Sequence, residues 1–202
     1  MADNFLTVGI TTPFPFMSPQ NEAKHISNYL ESRAIDLFHI RKPASGYEYT
    51  RILIRSIDQN LYPRLVLHSH YSLNNEFNLG GIHIKQTCPV NTVKYSFKTR
   101  SCHSLKECNV NPELYGYSFL SPIFDSISKE GYLSGFTLDD PVLLHNTSKL
   151  TIVALGGVMP HLFQKLFNAK FAGAALLGYL WSPKNSINER IDSLLKARNE
   201  IN

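Results

Sequence analysis

Residues 150–178 read LTIVALGGVMPHLFQKLFNAKFAGAALLG. The apolar run Leu150–Leu155 has strand character and stops at Gly156-Gly157. A helical pattern over Met159–Asn168 follows, and then a second strand, Phe171–Gly178. A strand, a helix and a strand in this order form a βαβ unit, whose strands lie parallel.

The same alternation extends upstream. Strands are expected at Phe5–Thr11, Ile35–Arg41, Arg64–Ser69, Gly81–Lys85, Phe97–Cys102 and Leu114–Leu120. Helical stretches are expected near Asn21–Ser32, Tyr47–Gln59, Tyr71–Asn78, Asn91–Tyr95 and Leu138–Asn146, with a polar final helix over Asn188–Ile201. Ser104-Leu105-Lys106-Glu107 has the Ser-x-x-Glu form of a capping box. Eight strands in 202 residues leave about 25 per unit, close to the ~30 of a βα repeat. An open doubly wound sheet has about six strands and a glycine-rich first turn. Here the first turn is TTPFPF, and the glycines follow strands seven and eight, where barrels place a phosphate site. The expected fold is an α/β chain forming one small single-domain (β/α)8 TIM barrel over residues 1–202.

Composition agrees with one packed domain. The chain is 43% hydrophobic and 18% charged, which excludes a disordered polypeptide. Its net charge of +4 comes from scattered basic residues, so no nucleic-acid partner is expected. No apolar run reaches the ~18 residues of a membrane span, and the N-terminus lacks the pattern of a secretory signal. The three cysteines, Cys88, Cys102 and Cys108, form no CxxC, as suits a reducing cytoplasm and buried filler roles.

In a parallel barrel the active site forms at the C-terminal strand ends. Polar residues gather there: His39-Ile40-Arg41-Lys42, His68-Ser69-His70, His83 and Lys85, and Ser101-Cys102-His103. Period two puts His39 and Arg41 on one face, and both side chains are expected to reach the barrel mouth. Ser101 has an alternative role as a cap for the helix that begins near Leu105. Gly156 and Gly157 permit positive φ and free their N–H groups. With Gly178 and the next helix N-terminus they suit a phosphate. The loop SPIFDSISKEGYLSGF, residues 121–136, is long for a βα connection and suits a lid, with Ser126, Ser128 and Lys129 over an anionic ligand.

Residues 77–106 contain no Asp or Glu. A Mg²⁺ site on a pyrophosphate needs one or two carboxylates, which would then come from elsewhere, such as Asp36 or Asp125. His68-x-His70 raises zinc, but no third ligand stands at a matching spacing. No metal ligands are assigned.

DLFHIRKP (36–43), LVLHSHYSL (65–73), GIHIKQ (81–86), RSCHSLKE (100–107), YSFLSPIFDSISKEG (117–131), IVALGGV (152–158) and GAALLGYL (173–180) together resemble the thiamin phosphate synthase and thiazole tautomerase family. That resemblance implies a (β/α)8 enzyme of thiamine biosynthesis that binds a phosphorylated thiazole. The synthase joins a pyrimidine pyrophosphate to a thiazole phosphate with Mg²⁺. The tautomerase shifts a proton to make a thiazole carboxylate phosphate aromatic, without metal. Where the synthase has Asn-Asp after strand three, this chain has His68-Ser69, and the second metal-binding Asp falls near Cys88. HIR and Ser-x-His-Ser look more like the tautomerase, an isomerase.

The resemblance assigns His103 to proton transfer, with His39 and Arg41 as further catalytic candidates. Arg41, His68, Ser101, Ser126, Ser128, Lys129, Gly156, Gly157 and Gly178 are assigned to the substrate and its phosphate. No cofactor is expected, or Mg²⁺ if the chain is a synthase, a transferase. The third reading is a catalytically silent ligand-binding homologue. A homodimer is the default assembly, with no membrane partner and a cytoplasmic location.

Overall fold

The computed structural model describes residues 5–85, 97–124 and 136–201. Eight parallel strands close into a barrel in chain order: β1 (Leu6–Ile10), β2 (Leu37–Ile40), β3 (Leu65–Leu67), β4 (Gly81–Ile84), β5 (Lys98–Cys102), β6 (Tyr117–Leu120), β7 (Ile152–Ala154) and β8 (Gly173–Leu176). The barrel is sealed by β1 against β8, with Leu6 opposite Gly173 and Val8 opposite Ala175. The α-helices among the described residues are α1 (Pro19–Glu31), α2 (Tyr47–Arg55), α3 (Ser72–Phe77), α4 (Leu105–Cys108), α5 (Pro141–Lys149), α6 (Phe163–Asn168) and α7 (Ile187–Asn199). This is the (β/α)8 barrel expected from the strand count. No helix among the described residues is long and apolar enough to cross a membrane.

Strand parity divides the core. Outward residues such as Phe38, Ile40, Leu65, Leu67, Ile82 and Ile84 pack against the helices. On α1 the buried face is Ala23, Ile26, Tyr29 and Leu30, the 3.6-residue stripe that a barrel-covering helix needs. Inside the barrel, β1 and β6–β8 supply an apolar half that includes Val8, Ile10, Phe119, Val153 and Ala175. The inner positions of β2–β5 include polar residues, with His39, His83 and Thr99 all buried.

Element ends depart from expectation for local reasons. The second helix stops at Arg55, and Gln59–Arg64 forms a 3-10 helix capped by Asp58, whose side chain accepts from the Asn60 N–H at 2.8 Å. The helix after Gly156-Gly157 starts with a 3-10 turn, Pro160–Leu162, and becomes α-helical at Phe163. Pro160 has no N–H to offer, so the helix N-terminus expected to face a phosphate is weaker than anticipated. The helix expected at Asn91–Tyr95 lies outside the described residues.

Candidate active site

A cavity of about 870 Å³ opens at the C-terminal ends of the strands. Arg41, His68, Ser101, His103, Gly156, Gly157 and Gly178 all line it. Residues distant in sequence therefore meet because all stand at or just after strand ends of one parallel barrel. Ser126, Ser128, Lys129 and Cys88 lie outside the described residues. His39 does not reach the cavity: it is fully buried beneath it. Leu37 packs inside the barrel, so parity places His39 inward as expected, but one layer too deep.

The charge of the cavity is one-sided. Arg41, Lys85 and Lys184 line it, and none of its described lining residues is Asp or Glu. Asp36, considered above as a carboxylate source, sits at the opposite end of β2. There it accepts from the Thr7 N–H at 2.7 Å and from both terminal nitrogens of Arg198 at 2.7 and 2.9 Å. Mg²⁺ favours carboxylate and other oxygen ligands, and the described cavity residues do not fit it.

His103 directly follows β5 in an exposed position and is held at two points. Its backbone N–H donates to Glu107 Oε2 at 2.9 Å, and its Nδ1 lies 3.0 Å from the Ser121 carbonyl. A carbonyl can only accept, so Nδ1 carries a proton, and in the neutral tautomer this leaves the lone pair on Nε2. Ser104 caps α4 by accepting from the Glu107 N–H at 3.2 Å. The Glu107 carboxylate, however, takes the His103 N–H and not that of Ser104, so the expected capping box reaches one residue further back. Ser101 does not cap this helix; its hydroxyl lies 3.1 Å from His83 Nε2.

Arg41 is positioned through its backbone. Its N–H donates to Thr11 Oγ1 at 2.8 Å, and that hydroxyl donates back to the Arg41 carbonyl at 3.1 Å. Lys42 turns the other way and is fully buried against Glu22 at 2.6 Å.

Across the mouth, Gly156 and Gly157 adopt φ of +94° and +65°, the left-handed region that other residues avoid. A Cβ on Gly156 would meet Pro122 at 2.9 Å, so the position is closed sterically as well. A Cβ on Gly178 would meet nothing within 4 Å, so open space lies at the end of β8. No acceptor among the described residues takes the N–H of Gly156, Gly157 or Gly178. The loop after β8 is anchored from outside. Buried Arg190 donates to the Ser182 carbonyl and, at 2.8 Å, to that of Asn185, while its Nε reaches the Tyr29 hydroxyl at 2.8 Å.

Sequence reasoning missed the cluster under the cavity. His39 Nδ1 and His68 Nε2 are 2.8 Å apart, and His39 Nε2 is hydrogen-bonded to the Tyr117 hydroxyl. His83 sits beside them, with Nδ1 2.8 Å from Thr99 Oγ1. The signal was available for the three histidines, which hold inward positions on β2, just after β3 and on β4. Tyr117 had no such signal, because its reach depends on barrel closure. His70 is not part of the cluster; its backbone is left-handed at φ 54° and its ring faces the Ser45 carbonyl at 3.3 Å.

One nitrogen from each of the three rings lies within 4.8 Å of the others, but the geometry is that of a hydrogen-bond network. His68 and His83 are stacked at 4.0 Å with planes 11° apart. Lone pairs lie in the ring plane, and two parallel planes this far apart do not meet at one ion. Both nitrogens of His39 and of His83 also already have partners.

Burial holds all three imidazoles below their ordinary range. His39 and His68 are pushed well down by desolvation, with His83 as a further cause for each. His83 is lowered to about 3, by desolvation first and then by the Arg41 charge. The unfolded rings take up protons near pH 6.5, so the unfolded state binds more protons below that value. The stabilisation held by neutral rings is therefore complete above pH 6.5 and is lost as pH falls from there toward their folded values. Each ring withdraws up to about 1.4 kcal/mol per pH unit in that window. The urea midpoint is expected to drop steeply from pH 6.5 to 4.5, and His83→Gln should flatten the slope. A midpoint independent of pH over that range would contradict neutral burial.

The fold and cavity define a class: a (β/α)8 barrel with its cavity at the C-terminal face, where enzymes of this fold carry their active sites. Among solved structures, the chain is similar to the thiamine phosphate pyrophosphorylase of Bacteroides thetaiotaomicron, with 28% identity and a TM-score of 0.79 over 96% of this chain and 98% of that one. The thiamine phosphate pyrophosphorylase of Pyrococcus furiosus follows at 13% identity and 0.68, covering 99% of this chain and 98% of its own. The (S)-3-O-geranylgeranylglyceryl phosphate synthase of Thermoplasma acidophilum matches at 10% and 0.64, over 98% and 94%. The last two likenesses speak for the fold alone. The first supports an enzyme of the thiamine phosphate synthase type and does not select the tautomerase branch. Neither a protein-family model nor a curated protein matches the chain.

Proposed function

We propose that this barrel acts in thiamine biosynthesis on a phosphorylated thiazole, as a metal-independent tautomerase that makes the ring aromatic. The carrying observation is a cavity that combines His103 with Arg41 and with glycine N–H groups that no described acceptor takes, yet has no Asp or Glu among its described lining residues. The phosphate is held by the backbone of Gly156, Gly157 and Gly178 at β7 and β8, and Ser126, Ser128 and Lys129 are assigned to close over it. Arg41 pairs with the substrate carboxylate. His103 Nε2 takes a proton from ring carbon, and the imidazolium returns it at the position that completes aromaticity. No cofactor takes part, and the partner is the small molecule itself, with a homodimer as the assembly.

Incubation with the non-aromatic thiazole carboxylate phosphate is expected to accelerate aromatisation, and excess chelator should leave the rate unchanged. Followed by ultraviolet absorbance, a rate equal to the uncatalysed one would end this reading.

A synthase is the second reading, favoured by the 28%-identical pyrophosphorylase that matches nearly end to end. Chelator-sensitive condensation of pyrimidine pyrophosphate with thiazole phosphate would establish it. Tight binding of thiazole phosphate without either turnover would instead mark a silent ligand-binding homologue.

A further inference from the structure

The hydrogen-bond chain beneath the cavity has a direction. Tyr117 is fixed on the first residue of β6, inside the barrel, and only 3% exposed. Among the described residues its hydroxyl has one partner, His39 Nε2. If His39 donated to Tyr117, the tyrosine O–H would be a buried donor with no acceptor, which folded proteins avoid. The tyrosine therefore donates, and His39 Nε2 is the bare nitrogen. A neutral imidazole has one N–H, so His39 carries its proton on Nδ1. That N–H donates across 2.8 Å to His68 Nε2. His68 Nε2 is then bare in turn, and its proton sits on Nδ1. Unlike His39, His68 is partly exposed and lines the cavity.

Barrel topology adds a position. In the closed order β1 to β8, β3 stands four strands from β7, directly across the mouth from Gly156 and Gly157. His68 thus faces the end of a ligand remote from the phosphate held there. We propose that Tyr117, acting through His39, fixes His68 as the Nδ1–H tautomer, so that His68 serves the cavity as a neutral hydrogen-bond donor to an acceptor atom on the organic end of a phosphorylated ligand. Tyr117 and His39 are positioning residues. The lock follows from hydrogen-bond accounting alone; the ligand clause rests on the proposed thiazole phosphate reading. Among the histidines that line the cavity, His103 then offers a lone pair and His68 an N–H.

Long-range proton–nitrogen NMR on ¹⁵N-histidine protein without ligand reads each tautomer, and loss of signals in His68→Gln assigns the ring. The expected result is Nδ1–H at His39 and at His68 near pH 7.5. Tyr117→Phe removes the donor, and the Nδ1–H to Nε2–H ratio at His68 should fall by about tenfold, the bias of one ordinary buried hydrogen bond. An Nε2–H ring at His68 in the unsubstituted protein overturns the lock and needs no variant to fold. An unchanged ratio in a folded Tyr117→Phe does so too, as does one equivalent of Zn²⁺ shifting all three rings together. Inorganic phosphate should move the Gly156 and Gly157 amides but not His68. The thiazole carboxylate phosphate should move the His68 Nδ1–H as well, and its binding without that shift overturns the donor role. If that compound does not bind, the thiazole reading and the donor clause fall together, while the ligand-free spectrum still decides the lock.

Discussion

His103→Gln is expected to slow aromatisation by about 10²–10⁴-fold, the usual contribution of a positioned acid–base group, while ligand affinity stays close to its original value. The residue is set for this task by two contacts, one to its ring and one to its backbone. The Ser121 carbonyl fixes the proton on Nδ1, and Glu107 fixes the backbone N–H. What remains is one exposed nitrogen with a lone pair, and an imidazole gives and takes protons near neutral pH. Gln keeps a polar group of similar reach but does not accept a proton there. Glu107→Gln should produce a smaller loss, because it weakens the placement of His103 without removing the base. Steady-state kinetics with the non-aromatic substrate measure both. A His103→Gln protein with full kcat would remove His103 from the chemistry.

The second large effect concerns stability. Glu22→Gln is expected to destabilise the fold by about 3–5 kcal/mol, as breaking a buried ion pair does. Glu22 on α1 and Lys42 at the end of β2 have fully buried side chains 2.6 Å apart. Tyr49 donates to Glu22 Oε2 at 3.0 Å, and Lys42 reaches Thr12 Oγ1 at 3.4 Å. Desolvation lowers the Lys42 pKa, and the Glu22 contact offsets part of that. Without the carboxylate the ammonium is buried and unpaired, and its folded pKa falls further. Such a base costs stability below its unfolded pKa of about 10.4, so the variant should recover as pH rises from 7 toward 10. Glu22→Leu combined with Lys42→Met should lie much closer to the parent than Glu22→Gln does, since well-packed apolar replacements of buried pairs are often neutral. Urea midpoints at pH 7 and 9 test this, and a Glu22→Gln midpoint equal to the parent's would contradict it.

Much of the site was legible in the chain itself. Arg41, His68, Ser101, His103 and the glycines could be placed at one rim because each stands at or just after the end of a strand, and parallel strands put all their C-terminal ends together. The roles inside that rim were less legible. Lys42 sits beside Arg41 in sequence, yet strand parity sends one to a buried carboxylate and the other to the cavity. His39 shares a face with Arg41, but the cavity floor passes between them. Glu107 was readable as a cap partner, though not as the group that holds the His103 backbone.

The sequence by itself determined the βα alternation, the closed barrel it implies, the left-handed glycines after β7 and the want of acidic residues along β4 and β5. These are local properties of period, turn chemistry and composition, and local physics suffices for them. The tertiary structure alone decided that His39, His68 and His83 meet Tyr117, that Asp36 faces Arg198 far from the cavity, and that Glu22 covers Lys42. Those pairings depend on the stagger between strands and on which helix lies over which strand end. Closure of the whole barrel sets both, and no short stretch of the chain contains that information.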